Sequence, residues 1–143
     1  MRSWVYCLVA TACAGCSGSG GSASDQGTVS EAPAAVVMSD TGGYRVSVHS
    51  APDAVPSRGA NTLRLDVVRA SDGAAATGLA LEVVPWMPAM GHGTSVRPTV
   101  EPGATPGSYT VTNVNLVMPG LWEIRTTIAG SISDHVAPQF EVR

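Results

Sequence analysis

Lysine is absent, phenylalanine occurs once, and the three cysteines, Cys7, Cys13 and Cys16, all fall within the first 16 of 143 residues. Each shortage excludes something. All eight basic residues are arginine and the net charge is −3, so the chain carries no basic stripe for nucleic acid and no polybasic membrane patch. Without cysteine after position 16, the part that folds has no disulfide framework and no cysteine-ligated zinc site. Charged residues make up only 13%, but 44% of the chain is apolar, which is too much for wholesale disorder. No activated nucleophile, carboxylate pair at a recognisable spacing or cofactor fingerprint is present, so the chain is not read as an enzyme. Asp134-His135 looks like a catalytic fragment only superficially and is read as a turn, since no Gly-x-Ser-x-Gly elbow accompanies it.

Residues 1–16 read as an export leader. Arg2 supplies the positive start, and the apolar run from Trp4 to Ala12 is too short for a helix that needs about 20 residues to cross a bilayer. Ala14-Gly15-Cys16 resembles a lipobox, in which the cysteine is lipidated and becomes the mature N-terminus; Cys13, after Thr11-Ala12, is the alternative. Residues 17–42 are rich in Gly, Ser and Ala and read as a flexible tether. The expected product is a soluble domain held by its N-terminal lipid at a membrane, on the periplasmic or cell-envelope face.

From residue 43 to 143 apolar residues alternate with a period of two. Tyr44/Val46/Val48, Leu63/Leu65/Val67 and Leu79/Leu81/Val83 mark three strands, the third stopping at Pro85. A weak fourth runs from Ser95 to Val100, broken by Pro98 as suits an edge. Tyr109, Val111 and Val114 mark a fifth with a slip in phase near Asn113; Trp122, Ile124, Thr126 and Ile128 a sixth; Val136, Phe140 and Val142 a seventh. Turn signals such as Ser71-Asp72-Gly73 and Pro119-Gly120 separate them. About seven short strands without intervening helices predict an all-β, immunoglobulin-like antiparallel β-sandwich.

The unusual stretch is Pro85-Trp86-Met87-Pro88-Ala89-Met90-Gly91-His92-Gly93, whose prolines and glycines place its side chains on a loop. Met118 follows in Leu116-Val117-Met118-Pro119-Gly120. Thioether sulfur is a soft, neutral donor that suits Cu(I) or Ag(I) and competes poorly for Zn²⁺, Mg²⁺ or Ca²⁺. In a sandwich whose strands reverse in order, the connections after the third and fifth strands emerge at one end. The first strand ends there too, at His49, whereas His135 lies at the opposite end. The expected metal ligands are therefore Met87, Met90, His92 and Met118, with His49 as an extra ligand and Trp86 as a ring over the metal. Gap-filling by methionine in a core is the competing role, with a metal-free partner surface as its functional counterpart. Trp122, in phase with Ile124, is expected in the core.

The motif order Met87-Pro88-Ala89-Met90-Gly91-His92-Gly93, then Pro106-Gly107-Ser108-Tyr109, then Met118-Pro119-Gly120-Leu121-Trp122-Glu123 resembles the YtkA-like domain family, related to the FixH-like domains. The resemblance covers roughly residues 43–143. It implies a small extracytoplasmic sandwich, with relatives in lipoproteins and in adaptor subunits of heavy-metal efflux systems. FixH-like members are associated with assembling a copper-containing oxidase. The implied role is Cu(I) handling, with a copper-dependent oxidase or a metal-efflux component as partner. Tyr109 and Glu123 are implied to fix the corner.

Overall fold

The computed structural model describes residues 28–143. Both lipidation candidates, Cys13 and Cys16, and the first part of the expected tether lie outside the described residues. Among the described residues ten strands form: β1 (Ala35–Met38), β2 (Tyr44–Ala51), β3 (Gly59–Arg69), β4 (Ala80–Met87), β5 (His92–Gly93), β6 (Thr99–Pro102), β7 (Ser108–Leu116), β8 (Gly120–Ala129), β9 (Asp134–Val136) and β10 (Gln139–Val142). One sheet has the order β1-β2-β3-β7-β6; the other runs β10-β8-β4-β5, with β9 also paired to β8. Every pairing is antiparallel. Alternation puts Tyr44, Val46, Val48, Leu63, Leu65 and Val67 of the first sheet in one core with Trp122, Ile124 and Ile128 of the second. The expected antiparallel sandwich is the fold that forms.

The strand count rises from the expected seven to ten for local reasons. β1 falls inside the stretch assigned to the tether. Its Ala35 and Val37 pack against the core, and it pairs Val37 with Val46. The expected fourth strand shifts to β6, which begins after Pro98 at the sheet edge, while His92–Gly93 forms the short β5. Pro138, which has no N–H, interrupts the seventh strand to leave β9 and β10, yet Asp134, Val136, Phe140 and Val142 stay buried in one phase. The phase slip at Asn113 is a bulge: Asn113 has φ +62°, and the β3–β7 register shifts opposite it between Asn61 and Leu63.

The third strand does not stop at Pro85, as the proline suggested, but continues to Met87. Pro85 stands opposite Ile124, whose N–H points away from β4 to the Pro138 carbonyl at 2.9 Å. In such a pair the backbone groups of both residues face outward. The missing N–H of Pro85 therefore falls on the free edge of β4, where a strand tolerates it.

β2, β4 and β7 run toward the same end of the sandwich, here the upper end, which carries the connections 52–58, 88–91 and 117–119. The lower end is tied by polar contacts. Tyr109 Oη donates to the Ala76 carbonyl at 2.9 Å and accepts the Leu79 N–H at 3.1 Å, so this tyrosine fixes the β3–β4 connection. Gly107 precedes it with φ +77°, and a Cβ there would lie 2.7 Å from the Val67 carbonyl oxygen, which explains the glycine of that motif.

Asp134, only 1% exposed, holds the β1–β2 turn. Its carboxylate accepts the Thr41 hydroxyl at 2.6 Å and the amides of Thr41, Gly43 and His135 at 3.0, 3.2 and 2.9 Å. Burial opposes the charge, but hydrogen bonds from the Thr41 hydroxyl and the Thr41 and His135 amides outweigh it and hold the carboxyl well below its ordinary range. The stabilisation is thus fully present above the unfolded-state value of about 4 and is lost as pH falls below it toward the folded value. Asp134→Asn, which turns an NH₂ toward converging donors, is expected to cost about 3 kcal/mol at neutral pH in denaturant unfolding. It should also flatten the acid limb of the stability profile below about pH 4.

Candidate metal centre

Two turns at the upper end carry the methionines. The β4–β5 turn closes when the Met87 carbonyl accepts the amides of Met90 at 3.1 Å and Gly91 at 3.0 Å. Gly91 has φ +68°, the left-handed geometry that glycine adopts without strain. Only residues 88–91 form this turn; Met87 ends β4 and His92 starts β5, so both lie on strands and not on the expected loop. In the register Met87 faces His92 directly, which places both side chains on the same face of the sheet with Cβ atoms about 5 Å apart.

The four expected ligands differ in burial. Met87 is 6% exposed and belongs to the core cluster. Met90, at the turn tip, is 56% exposed. His92 is exposed, and Met118 is half-buried against the core. The His92 Nδ1 lies 3.0 Å from the Gly93 carbonyl oxygen. A carbonyl only accepts, so this contact puts the ring proton on Nδ1 and leaves the Nε2 lone pair for another partner. Metal-binding histidines are commonly oriented by such a bond.

Met118 is held through its backbone carbonyl. Its carbonyl accepts the indole N–H of Trp122 at 2.9 Å, and Trp122 is fully buried, as its strand phase indicated. Two residues after Met118 comes Gly120, with φ +127°, where an added Cβ would lie 2.5 Å from Met87 Cε. The Met87 methyl therefore sits against the bare backbone of the β7–β8 turn. Met87, His92 and the Met118 turn are joined in this way, while Met90 projects from the tip.

The two auxiliary residues do not join them. Trp86 and Met87 are consecutive on a strand and face opposite sides. Trp86 lies on the outer face opposite Gly93, with the Arg125 guanidinium 4.7 Å from its ring centroid. Arg125 in turn pairs with Glu123 at 2.8 Å, and Glu123 accepts from Gln139 at 3.1 Å. Glu123 thus belongs to this outer-face network; the corner itself is fixed by Trp122 and Gly120. His49 also faces outward, since Val48 and Ser50 take the inner positions. Its ring nitrogens lie 2.9 Å from the Ser30 carbonyl and 3.1 Å from Asp66, so both are engaged with oxygen acceptors. Asp66 also binds Arg64 at 3.2 Å. His135 lies at the lower end, on β9.

Among the described residues, no group of three or more His, Asp and Glu side chains could hold a metal ion. A site at the upper end would consist of thioether sulfur and the His92 imidazole. Sequence reasoning missed Gly120 as the seat of the Met87 methyl and the Trp122 N–H as the tie to Met118; the signal for both was the spacing Met118-x-Gly120-x-Trp122. Gly120→Ala should push Met87 from its seat and strain the turn. The expected cost is about 2 kcal/mol in thermal or denaturant unfolding, with Met87→Ala recovering part of it in the double variant.

A model of the YtkA-like family matches residues 38–127, a span from the end of β1 through most of β8 that contains Met87, Met90, His92 and Met118. No curated protein and no solved structure matches the chain. On this match the chain belongs to the YtkA-like family.

Proposed function

We propose that this protein is an extracytoplasmic, lipid-anchored binding module that handles Cu(I) at the upper end of its sandwich, and that it is not an enzyme. The observation that carries the reading is the joining of two turns. Met87 faces His92 across the β4–β5 hairpin, and its methyl rests on Gly120 of the turn that bears Met118. Thioethers with one neutral imidazole form a soft donor set, suited to Cu(I) and poor for Zn²⁺. His92 supplies Nε2, Met118 and Met90 supply accessible sulfur, and Met87 supplies sulfur from the core side. Two ligands on exposed positions suit a site that loads and releases its ion, in transfer to an oxidase, in efflux support or in buffering.

A second reading rests on Met87 itself, whose 6% exposure is that of a core filler. On that reading Met90 and Met118 belong to an adaptable apolar surface for a partner protein, without metal. Anaerobic titration of the chain from residue 28 onward, which has no cysteine to compete, separates the two. Copper handling predicts one Cu(I) or Ag(I) per chain in preference to Zn(II) and Cu(II). Replacing Met90 by Leu and His92 by Ala together should weaken Cu(I) about a hundredfold or more with an unchanged circular dichroism spectrum. Unchanged Cu(I) affinity in that variant, or a preference for Zn(II), would remove the proposed site.

A further inference from the structure

The chain enters the sandwich at the upper end. The Ser30 amide donates to the Ser50 carbonyl at 3.1 Å, and the Ser30 carbonyl is bound by His49 Nδ1 at 2.9 Å, both next to the end of β2. β1 then descends along β2, pairing Ala35 with Val48 and Met38 with Arg45. Residues that precede Ser30 therefore leave from the end that carries Met87, His92 and Met118.

That end also carries exposed apolar side chains on three adjoining connections: Val55 (49% exposed), Met90 (56%) and Val117 (43%). The connections touch. Arg58 Nε donates to the Val117 carbonyl at 3.3 Å, and Met87, which starts the 88–91 turn, packs on Gly120. At the lower end two large apolar side chains are exposed, Ile132 on the 130–133 connection and Met38 at the end of β1. Formal charge at the upper end is slightly negative, with Glu31, Asp53 and Glu141 against Arg58 and Arg143.

We propose that the Val55–Met90–Val117 end of the sandwich rests on the lipid bilayer that holds the chain, so that the methionine and histidine side chains face the membrane. This rests on the lipid-anchor part of the function proposed above and is independent of the copper part. Even fully extended, the chain between Cys16 and Ser30 reaches about 50 Å, and the 11-residue β3 makes the sandwich about 36 Å tall. Turning the lower end toward the bilayer would use most of that reach in doubling back along the domain. Tethering also makes the contact intramolecular, so a few aliphatic side chains suffice where a free domain would need a larger surface. With no excess of positive charge and no lysine at this end, the contact is apolar and does not depend on anionic lipid.

The test uses the full chain made with its leader, purified from membranes and reconstituted in vesicles containing headgroup-quencher lipids. A mass measurement comes first: an acyl group at Cys16, or at the alternative Cys13, is expected, and its absence from both overturns the proposal without touching Cu(I) binding by the domain. A fluorophore at Ala89→Cys, in the upper turn, should be quenched several-fold more than one at Ser131→Cys at the lower end, equally in phosphatidylcholine vesicles with and without anionic lipid. Val55→Asp, on a connection that bears no proposed ligand, should reduce the difference at least twofold and leave Cu(I) affinity unchanged. Equal quenching at both positions, stronger quenching at residue 131, or dependence on anionic lipid would overturn the proposal. So would protection of residue 89 that occurs in native membranes but not in lipid vesicles, which would assign the surface to a membrane-embedded protein.

Discussion

The packing of the Met87 methyl onto Gly120 is the constraint on which the upper end depends. It occurs where β4 finishes and β8 begins, and the antiparallel register between them, with Trp86 opposite Glu123, brings the two points together. A side chain at position 120 would separate the turns, and a shorter residue at 87 would leave a void beneath them. Trp122 completes the arrangement by burying its ring and using its one polar atom to hold the Met118 carbonyl. Met87, Gly120 and Trp122 thus join the end of β4 to the turn that bears Met118.

The two ends of the sandwich are built differently. Below, charge and hydroxyl groups do the fastening: Asp134 gathers the donors of the β1–β2 turn, and Tyr109 pins the β3–β4 connection. Above, the buried Asn61 side chain ties the 52–58 connection by accepting the Ser57 amide and donating to the Ser57 and Gly59 carbonyls, and the methionine turns are held by bonds to backbone carbonyls at Met87, Gly93, Val117 and Met118. Neither methionine segment, 86–93 or 116–121, carries an Asp, Glu, Arg or Lys, which suits a soft ion and an apolar contact surface alike.

Much of the fold was legible because a half-buried strand writes its burial directly into alternating residues. Leu63, Leu65 and Val67 of β3 and Trp122, Ile124 and Ile128 of β8 are buried in the phase that the sequence shows, and the slip at Asn113 is a real bulge. β1 was not legible, since Ala35 and Val37 sit in a stretch whose composition matches a linker and are only half-buried. Pro85 misled because the cost of a proline depends on which side of the strand its nitrogen faces, and that depends on the pairing. Trp86 and His49 were misplaced for a related reason. Sequence proximity to a ligand suggested a shared site, but strand alternation sends Trp86 to Arg125, and the outer face gives His49 to Ser30 and Asp66. The shared end of the two methionine turns followed from strand order, whereas the seat of Met87 on Gly120 needed three-dimensional packing.

The central claim is that sulfur from both turns and His92 Nε2 share one soft ion. Methyl-labelled methionine and imidazole nitrogen NMR during an anaerobic Ag(I) or Cu(I) titration tests it most directly, with Met38, on β1 and away from the upper end, as the internal reference. The account predicts that the methyls of Met87, Met90 and Met118 and the His92 Nε2 shift together and saturate at one equivalent while Met38 does not move. Shifts confined to Met90, or shared equally by Met38, or a His92 Nε2 that does not respond, would contradict it.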